Sequence, residues 1–155
     1  MEAYLLLTLI AIVILTLVIC FVIYILHSIS HYKMFKIVGY KDPWLAWIPY
    51  IKYYALVDCM NIVDEKVELL PRIMVPLSVL KFWWVSYFFV SWIPHIGIYI
   101  LWILNWICLG YCYKILYSRL YNKPVSEVKW LAYFSGLISL IPIVKFLCLK
   151  QSQVL

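Results

Sequence analysis

The chain has 155 residues, of which 67% are hydrophobic and only 13% are charged, whereas an ordinary soluble domain is about 45–50% apolar and about 25% charged. A soluble chain of this length buries only about 70% of its unfolded surface, so the composition excludes a soluble globular domain. The net charge of +6 comes from basic residues placed between apolar runs, which favours anionic lipid headgroups and not nucleic acid as the binding partner. We therefore predict one all-α domain over residues 1–155, an integral membrane helical bundle.

The first transmembrane helix is predicted over residues 3–26, an apolar run longer than the ~20 residues that cross a bilayer core. Only Glu2 precedes the run, and no small-residue cleavage site closes it. We expect a retained anchor and not a cleaved signal peptide. A basic loop over residues 27–43 follows the helix.

An aromatic segment over residues 44–57 contains Pro49 and Lys52. As a helix it would reach about 21 Å, short of the ~30 Å hydrocarbon core, so we predict an interfacial or re-entrant segment. Trp and Tyr concentrate at the headgroup level of a membrane. The expected interfacial anchors are Trp44, Trp47, Tyr50, Tyr53 and Tyr54.

Three further transmembrane helices complete a predicted set of four. They cover residues 73–93, 96–113 and 130–149. The turn at Pro94–Gly97 makes the first two of these an antiparallel hairpin. Charged loops at 58–72 and 114–129 separate the remaining segments.

The charge distribution predicts the orientation of the chain. With four spans, the loops at 27–43, 58–72 and 114–129 lie on one side and contain most of the basic residues. The positive-inside rule places them in the cytoplasm and both termini outside, in a multi-pass protein of the cell membrane. If residues 44–57 also crossed the membrane, this bias would largely vanish.

A tryptophan is followed four residues later by an Ile-Pro pair. The residues of this motif are Trp44, Ala46, Ile48 and Pro49. The chain thereby resembles a family of small bacterial polytopic membrane proteins of unknown function, in which Tyr-Asn follows the Ile-Pro. Tyr50 and Ile51 follow the pair here, so the match is partial. The resemblance implies a helical bundle and no known activity.

The Ile-Pro pair occurs three times, at residues 48–49, 93–94 and 141–142. This spacing fits an internal duplication, and it also fits the abundance of Ile and Pro in membrane helices, so both explanations stay open. In either case each proline removes a backbone N–H and predicts a bend.

Lys81 lies near the middle of the second predicted span, where a charged side chain costs from ~3 to more than 10 kcal/mol. Hairpin geometry brings Asn105 to about the same depth, so we predict a Lys81–Asn105 contact as an intramembrane polar site. One hypothesis is a transport or partner-binding path. The other is a lysine that snorkels to the headgroups.

Two other groups of residues are candidate sites. His27 and His31 lie one helical turn apart, as two metal ligands would, but no third ligand has a recognisable spacing, so we predict no metal and no other cofactor. Ser135, Gly136 and Ser139 form a patch of small residues that lets helices approach closely. The patch is expected to pack within the chain or against a partner.

The sequence contains no catalytic serine elbow, zinc-protease motif or phosphate-binding loop, so no enzymatic activity is expected. The predicted function is an accessory or structural subunit of a larger membrane complex, which packs through its helices against a membrane-protein partner or a second copy. The alternative is a small transporter, channel or immunity-type membrane protein with a polar path near Lys81 and Asn105.

Overall fold

The computed structural model describes residues 2–149, with side chains from Tyr4 onward. This part of the chain is mostly helical, as predicted. The α-helices are α1 (Glu2–Val38), α2 (Ile51–Asp58), α3 (Leu77–Lys81), α4 (Ser86–Val90), α5 (Gly97–Tyr121), α6 (Val125–Leu137) and α7 (Leu140–Leu147). Two 3-10 helices cover Pro43–Trp47 and Trp83–Val85, and strands β1 (Lys66–Leu70) and β2 (Ile73–Pro76) form an antiparallel hairpin.

Two of the described helices are long and apolar enough to cross a membrane, over Tyr4–Val38 and Gly97–Tyr121. The prediction of four continuous spanning helices is therefore wrong for residues 73–93 and 130–149. The first of these runs is divided into β2, α3, a 3-10 helix and α4, and the second contains the break between α6 and α7.

Proline explains where these runs break. Its ring clashes with the carbonyl group four residues earlier, and its nitrogen has no proton to donate. Accordingly α4 ends at Val90, four residues before Pro94. Likewise α6 ends at Leu137, and Ile138, four residues before Pro142, is extended with φ −112° and ψ 100°.

The first two Ile-Pro pairs form the same tight turn. Tyr50 and His95, the residues that follow the two prolines, have positive φ values of 67° and 60°. In both turns the next amide donates to the proline carbonyl, at 2.8 and 2.7 Å, which is a strained γ-turn. The third pair lies inside the first turn of α7, so two of the three pairs share a local structure.

The first part of α1 stands apart from the rest of the chain. Every side chain from Tyr4 to Ile23 is exposed, and continuous burial begins only near His27. We call Tyr4–Ile23 the uncovered segment; it rises about 30 Å. From there to Val38, α1 packs against α7 and the 3-10 helix Pro43–Trp47.

The hydrophobic core lies between the second half of α1, α2, the second half of α5, α6 and α7. Helices α5 and α6 form the most extensive contact, an antiparallel hairpin closed by residues 122–124. Strand β1 alternates exposed and buried residues, so that Val67 and Leu69 face the core. This alternation, which is typical of a half-buried strand, was not anticipated in the predicted all-α fold.

The C-terminal end of α7 lies beside the C-terminal end of α5. Lys145 Nζ is 5.8 Å from the centre of the Tyr121 ring, and Lys33 of α1 donates to the carbonyl of Leu147 at 2.5 Å. Because α6 and α7 reverse direction at their break, the chain returns to the end of the body opposite the N-terminus of α1. The predicted placement of both termini outside stays a prediction, because residues 150–155 lie outside the described part.

Candidate polar site

Lys81 lies at the end of α3 and pairs with Asp58 at the end of α2. The distance between Lys81 Nζ and Asp58 Oδ1 is 2.5 Å, and this hydrogen bond raises the pKa of Lys81. The predicted Lys81–Asn105 contact is therefore not formed. It assumed two continuous helices, whereas β2 and the break after α3 direct Lys81 toward α2.

Asn105 instead lines a cavity of about 240 Å³ enclosed by α1, α2, α5 and the α6–α7 connection. Its Oδ1 is buried and has no hydrogen-bond partner within residues 2–149. The polar residues that line this cavity are His27, Tyr53, Asn105, Tyr113, Ser135 and Ser139. Because a water molecule occupies ~30 Å³, the cavity has room for a small polar ligand.

A second cavity of about 280 Å³, shallow and largely open to the surface, adjoins the first and shares His27, Tyr53 and Ser139 with it. The second cavity is also lined by Lys52 and by three residues of α1. Those three are Cys20, Ile23 and Tyr24. We call the two adjoining cavities the polar site; it lies where the uncovered segment enters the body of the protein.

Lys52 is the charged residue of this site. Its side chain is buried, with 7% of the residue exposed, and its Nζ lies 3.1 Å from Nδ1 of His27. The ammonium also lies 5.5 and 5.4 Å from the ring centres of Tyr24 and Tyr53. An ammonium group only donates, so His27 Nδ1 accepts and the proton of its neutral ring is on Nε2.

His31 continues this network into the core. Its Nδ1 donates to the carbonyl of His27 at 2.8 Å, and its Nε2 accepts from the Tyr113 hydroxyl at 3.3 Å. The two histidine rings stack with their centres 4.1 Å apart. Both histidines are thus held in a hydrogen-bonded chain, and within the described residues no cluster of three or more His, Cys, Asp or Glu is placed for a metal ion.

The small-residue patch of α6 contacts α5. Ser135 Oγ accepts from the Tyr117 hydroxyl at 2.9 Å and donates to the Leu131 carbonyl. Gly136 lies directly against the α5 backbone, where an added Cβ would come within 2.9 Å of an amide nitrogen and a carbonyl oxygen. Ser139, beyond the end of α6, is exposed and lines both cavities.

The aromatic segment 44–57 forms two short helices separated by the turn at Tyr50. Trp44, Trp47 and Tyr50 are exposed, whereas Tyr53 and Tyr54 are half-buried. The three tyrosines pack against aromatic side chains of residues 82–88. With eight residues, α2 rises about 12 Å, too little to cross a membrane.

Sequence reasoning named Asn105, Ser135, Ser139 and Tyr53 for other reasons, and it missed Lys52 as a site residue. The available signal was that Lys52 is the one charged residue in the aromatic segment 44–57. A charge in such surroundings needs a polar partner. That partner, His27, lies 25 residues earlier, a distance at which the sequence pattern shows no relation.

Raising the pH should stabilise the protein through Lys52. Burial lowers the pKa of Lys52 from 10.5 to about 8, so between these values Lys52 binds more protons in the unfolded chain, and its contribution to the free energy of unfolding rises with pH. The rise amounts to about 3 kcal/mol at most. Neighbouring Tyr53 stays neutral, because burial raises its pKa to about 12. We expect Lys52→Met to lose this rise, measured by denaturation in detergent at pH 7.5 and 10.

Lys129→Met removes the same charge from an exposed position of α6 and serves as the control. Its unfolding free energy should change with pH as that of the parent chain does. Equal pH slopes in the two variants would contradict the assignment of the effect to Lys52.

Comparison of the chain with known protein families, with curated proteins and with solved structures found no match. The resemblance carried by Trp44, Ile48 and Pro49 therefore stays a prediction.

Proposed function

We propose that the chain is a small integral membrane protein that acts as an accessory or structural subunit of a larger membrane complex through helix–helix packing. The uncovered segment is the observation that carries this proposal. Its side chains are exposed and apolar around the whole helix. Its two threonines donate to their own helix backbone, at 2.8 Å each, so they require no water. A surface of this length and polarity matches the hydrocarbon core of a bilayer.

A second apolar surface supports packing against another membrane helix. Helix α4, the turn after it and the first half of α5 expose large hydrophobic side chains. They are Phe88, Phe89, Trp92, Ile96, Ile98, Tyr99, Trp102 and Ile103. Asn105 of α5 and His27 of α1 line the same cavity; the exposed half of α5 precedes Asn105 in the chain, as the uncovered segment precedes His27. The described residues of the chain leave both apolar surfaces exposed, so both are available to lipid or to a partner helix.

The basic residues support an orientation with the body at the cytoplasmic face. Arg119 and Lys145 lie in the last turns of α5 and α7. These two helix ends lie together, and Lys33 donates to the end of α7. In this arrangement the N-terminus of α1 lies outside. The alternative transport function was predicted from a polar path near Lys81 and Asn105. In the structure Lys81 pairs with Asp58 and forms no contact with Asn105.

Photo-crosslinking in intact cell membranes tests the proposal. A benzophenone amino acid at Leu15 or Trp102 should form a discrete protein adduct, because both side chains lie on the apolar surfaces. The same group at Val63, which is exposed outside both surfaces, should form none. Denaturing gels and mass spectrometry of the adducts distinguish a partner protein from a second copy. Adducts with lipid alone, together with a monomeric mass in mild detergent, would contradict a subunit role.

A further inference from the structure

The ammonium of Lys52 is a buried charge without a counterion. Among residues 2–149, the ion pairs join Lys81 to Asp58 and Lys123 to Glu127, and no carboxylate reaches Lys52. A buried charge requires pairing and hydrogen bonds to offset the loss of water. The one side chain that accepts from Lys52 is neutral His27, which leaves the positive charge uncompensated.

The residues around this charge present hydrogen-bond donors to the polar site. With Nδ1 of His27 occupied by Lys52, its Nε2–H is free to donate. Ser139 contributes a hydroxyl and Tyr53 a phenol, and both line each of the two cavities. Asn105 lines the first cavity, and its amide group carries an NH₂ donor. No carboxylate is among the described residues that line the two cavities.

The depth of the site matches the level of lipid headgroups. The uncovered segment is about as long as the hydrocarbon core is thick, and Ile23 at its end already lines the second cavity. Lys52 and His27 therefore lie at the boundary between hydrocarbon and water. Phosphate groups of lipids occupy the same layer, where basic side chains attract them.

We propose that the polar site binds a phosphate-bearing anion, with Lys52 as the cation and His27, Ser139, Tyr53 and Asn105 as hydrogen-bond donors. Charge-assisted hydrogen bonds of this kind are the strong ones. The phosphate comes from a lipid headgroup or from free phosphate. The lipid source rests on the proposed membrane insertion of α1, whereas binding of free phosphate does not.

Thermal unfolding of the full chain in a neutral maltoside detergent tests the site. The probes are inorganic phosphate, dihexanoyl phosphatidic acid, and dihexanoylglycerol, which has the same acyl chains and no phosphate; sodium chloride matches the ionic strength. At a probe concentration a hundredfold above Kd, we expect the unfolding temperature to rise by about 5–10 °C. A rise with phosphatidic acid alone identifies a headgroup site, and a rise also with inorganic phosphate identifies a site for phosphate itself.

Three variants test whether the response to the phosphate probes depends on the polar site. Lys52→Met should weaken probe binding at least tenfold, whereas the exposed Lys129→Met should leave it within twofold of the parent chain. Ser139→Asp keeps Lys52, places a carboxylate at an exposed position beside it, and should both raise the unfolding temperature and abolish the response to the probe. The proposal is overturned if neither phosphate probe acts beyond the salt control, or if Lys52→Met or Ser139→Asp responds as the parent chain does. Membrane insertion is measured separately, without phosphate, by the extraction experiment below.

Discussion

Two arginines in the uncovered segment should release the chain from the membrane. Val13 and Val18 are exposed near the middle of this segment, where each arginine costs about 3 kcal/mol on the insertion scale. Val13→Arg combined with Val18→Arg therefore opposes insertion by about 6 kcal/mol. We expect most of the variant to leave the membrane fraction on alkaline carbonate extraction, whereas the parent chain stays.

Val63→Arg is the matched control, because it makes the same change at a position that is 97% exposed outside the apolar surfaces. It should be retained in the membrane fraction like the parent chain. If the double arginine variant also resists extraction fully, insertion does not depend on the uncovered segment and the proposed function loses its main support.

Gly136→Ala should destabilise the body of the protein. An alanine Cβ at this position would lie 2.9 Å from the amide nitrogen of Gly110 and 2.9 Å from the carbonyl oxygen of Trp106. These are backbone atoms of α5, which cannot rotate away, so α5 and α6 must separate. Overpacking of this kind costs about 1–3 kcal/mol. The measurement is the unfolding midpoint in detergent, which should fall by several degrees.

The sign of this effect is informative, because replacing glycine by alanine inside an uncrowded helix stabilises it by about 1 kcal/mol. Ser126→Ala, at an exposed position of the same helix, should change the stability by less than about 0.5 kcal/mol. A Gly136→Ala variant as stable as the parent chain would show that α5 and α6 do not pack through this glycine.

Hydropathy predicted the part of α1 up to residue 26, whereas the helix continues to Val38 through most of the expected basic loop 27–43. Hydropathy failed for residues 73–93 because it averages over neighbouring residues. In the uncovered segment apolar residues follow one another without proline, and the helix continues. In residues 73–93 the mean is also apolar, but Pro76 precedes α3 and Pro94 stops α4. An apolar run does not by itself distinguish a strand that faces a core from a helix that faces lipid.

In the candidate site, too, the sequence indicates individual residues, and the fold decides which of them meet. The sequence marks three residues individually as polar or small residues in apolar segments: Asn105, Ser135 and Ser139. The fold brings them around one cavity. The prediction placed Lys81 beside Asn105 because two unbroken helices would bring both residues to the same depth in the membrane. The fold instead directs Lys81 to Asp58 and places Lys52 next to His27.

The sequence by itself determined that the chain is mostly helical, that its first helix presents apolar side chains on every side, and that residues 44–57 are too short to cross. These properties depend on consecutive residues, whose helical period and hydropathy are local. Only the tertiary structure decided which polar groups meet, because Lys81 and Asp58 are 23 residues apart and Lys52 and His27 are 25 apart. Whether such residues meet depends on the direction that the chain takes after each proline break, and side-chain packing sets that direction.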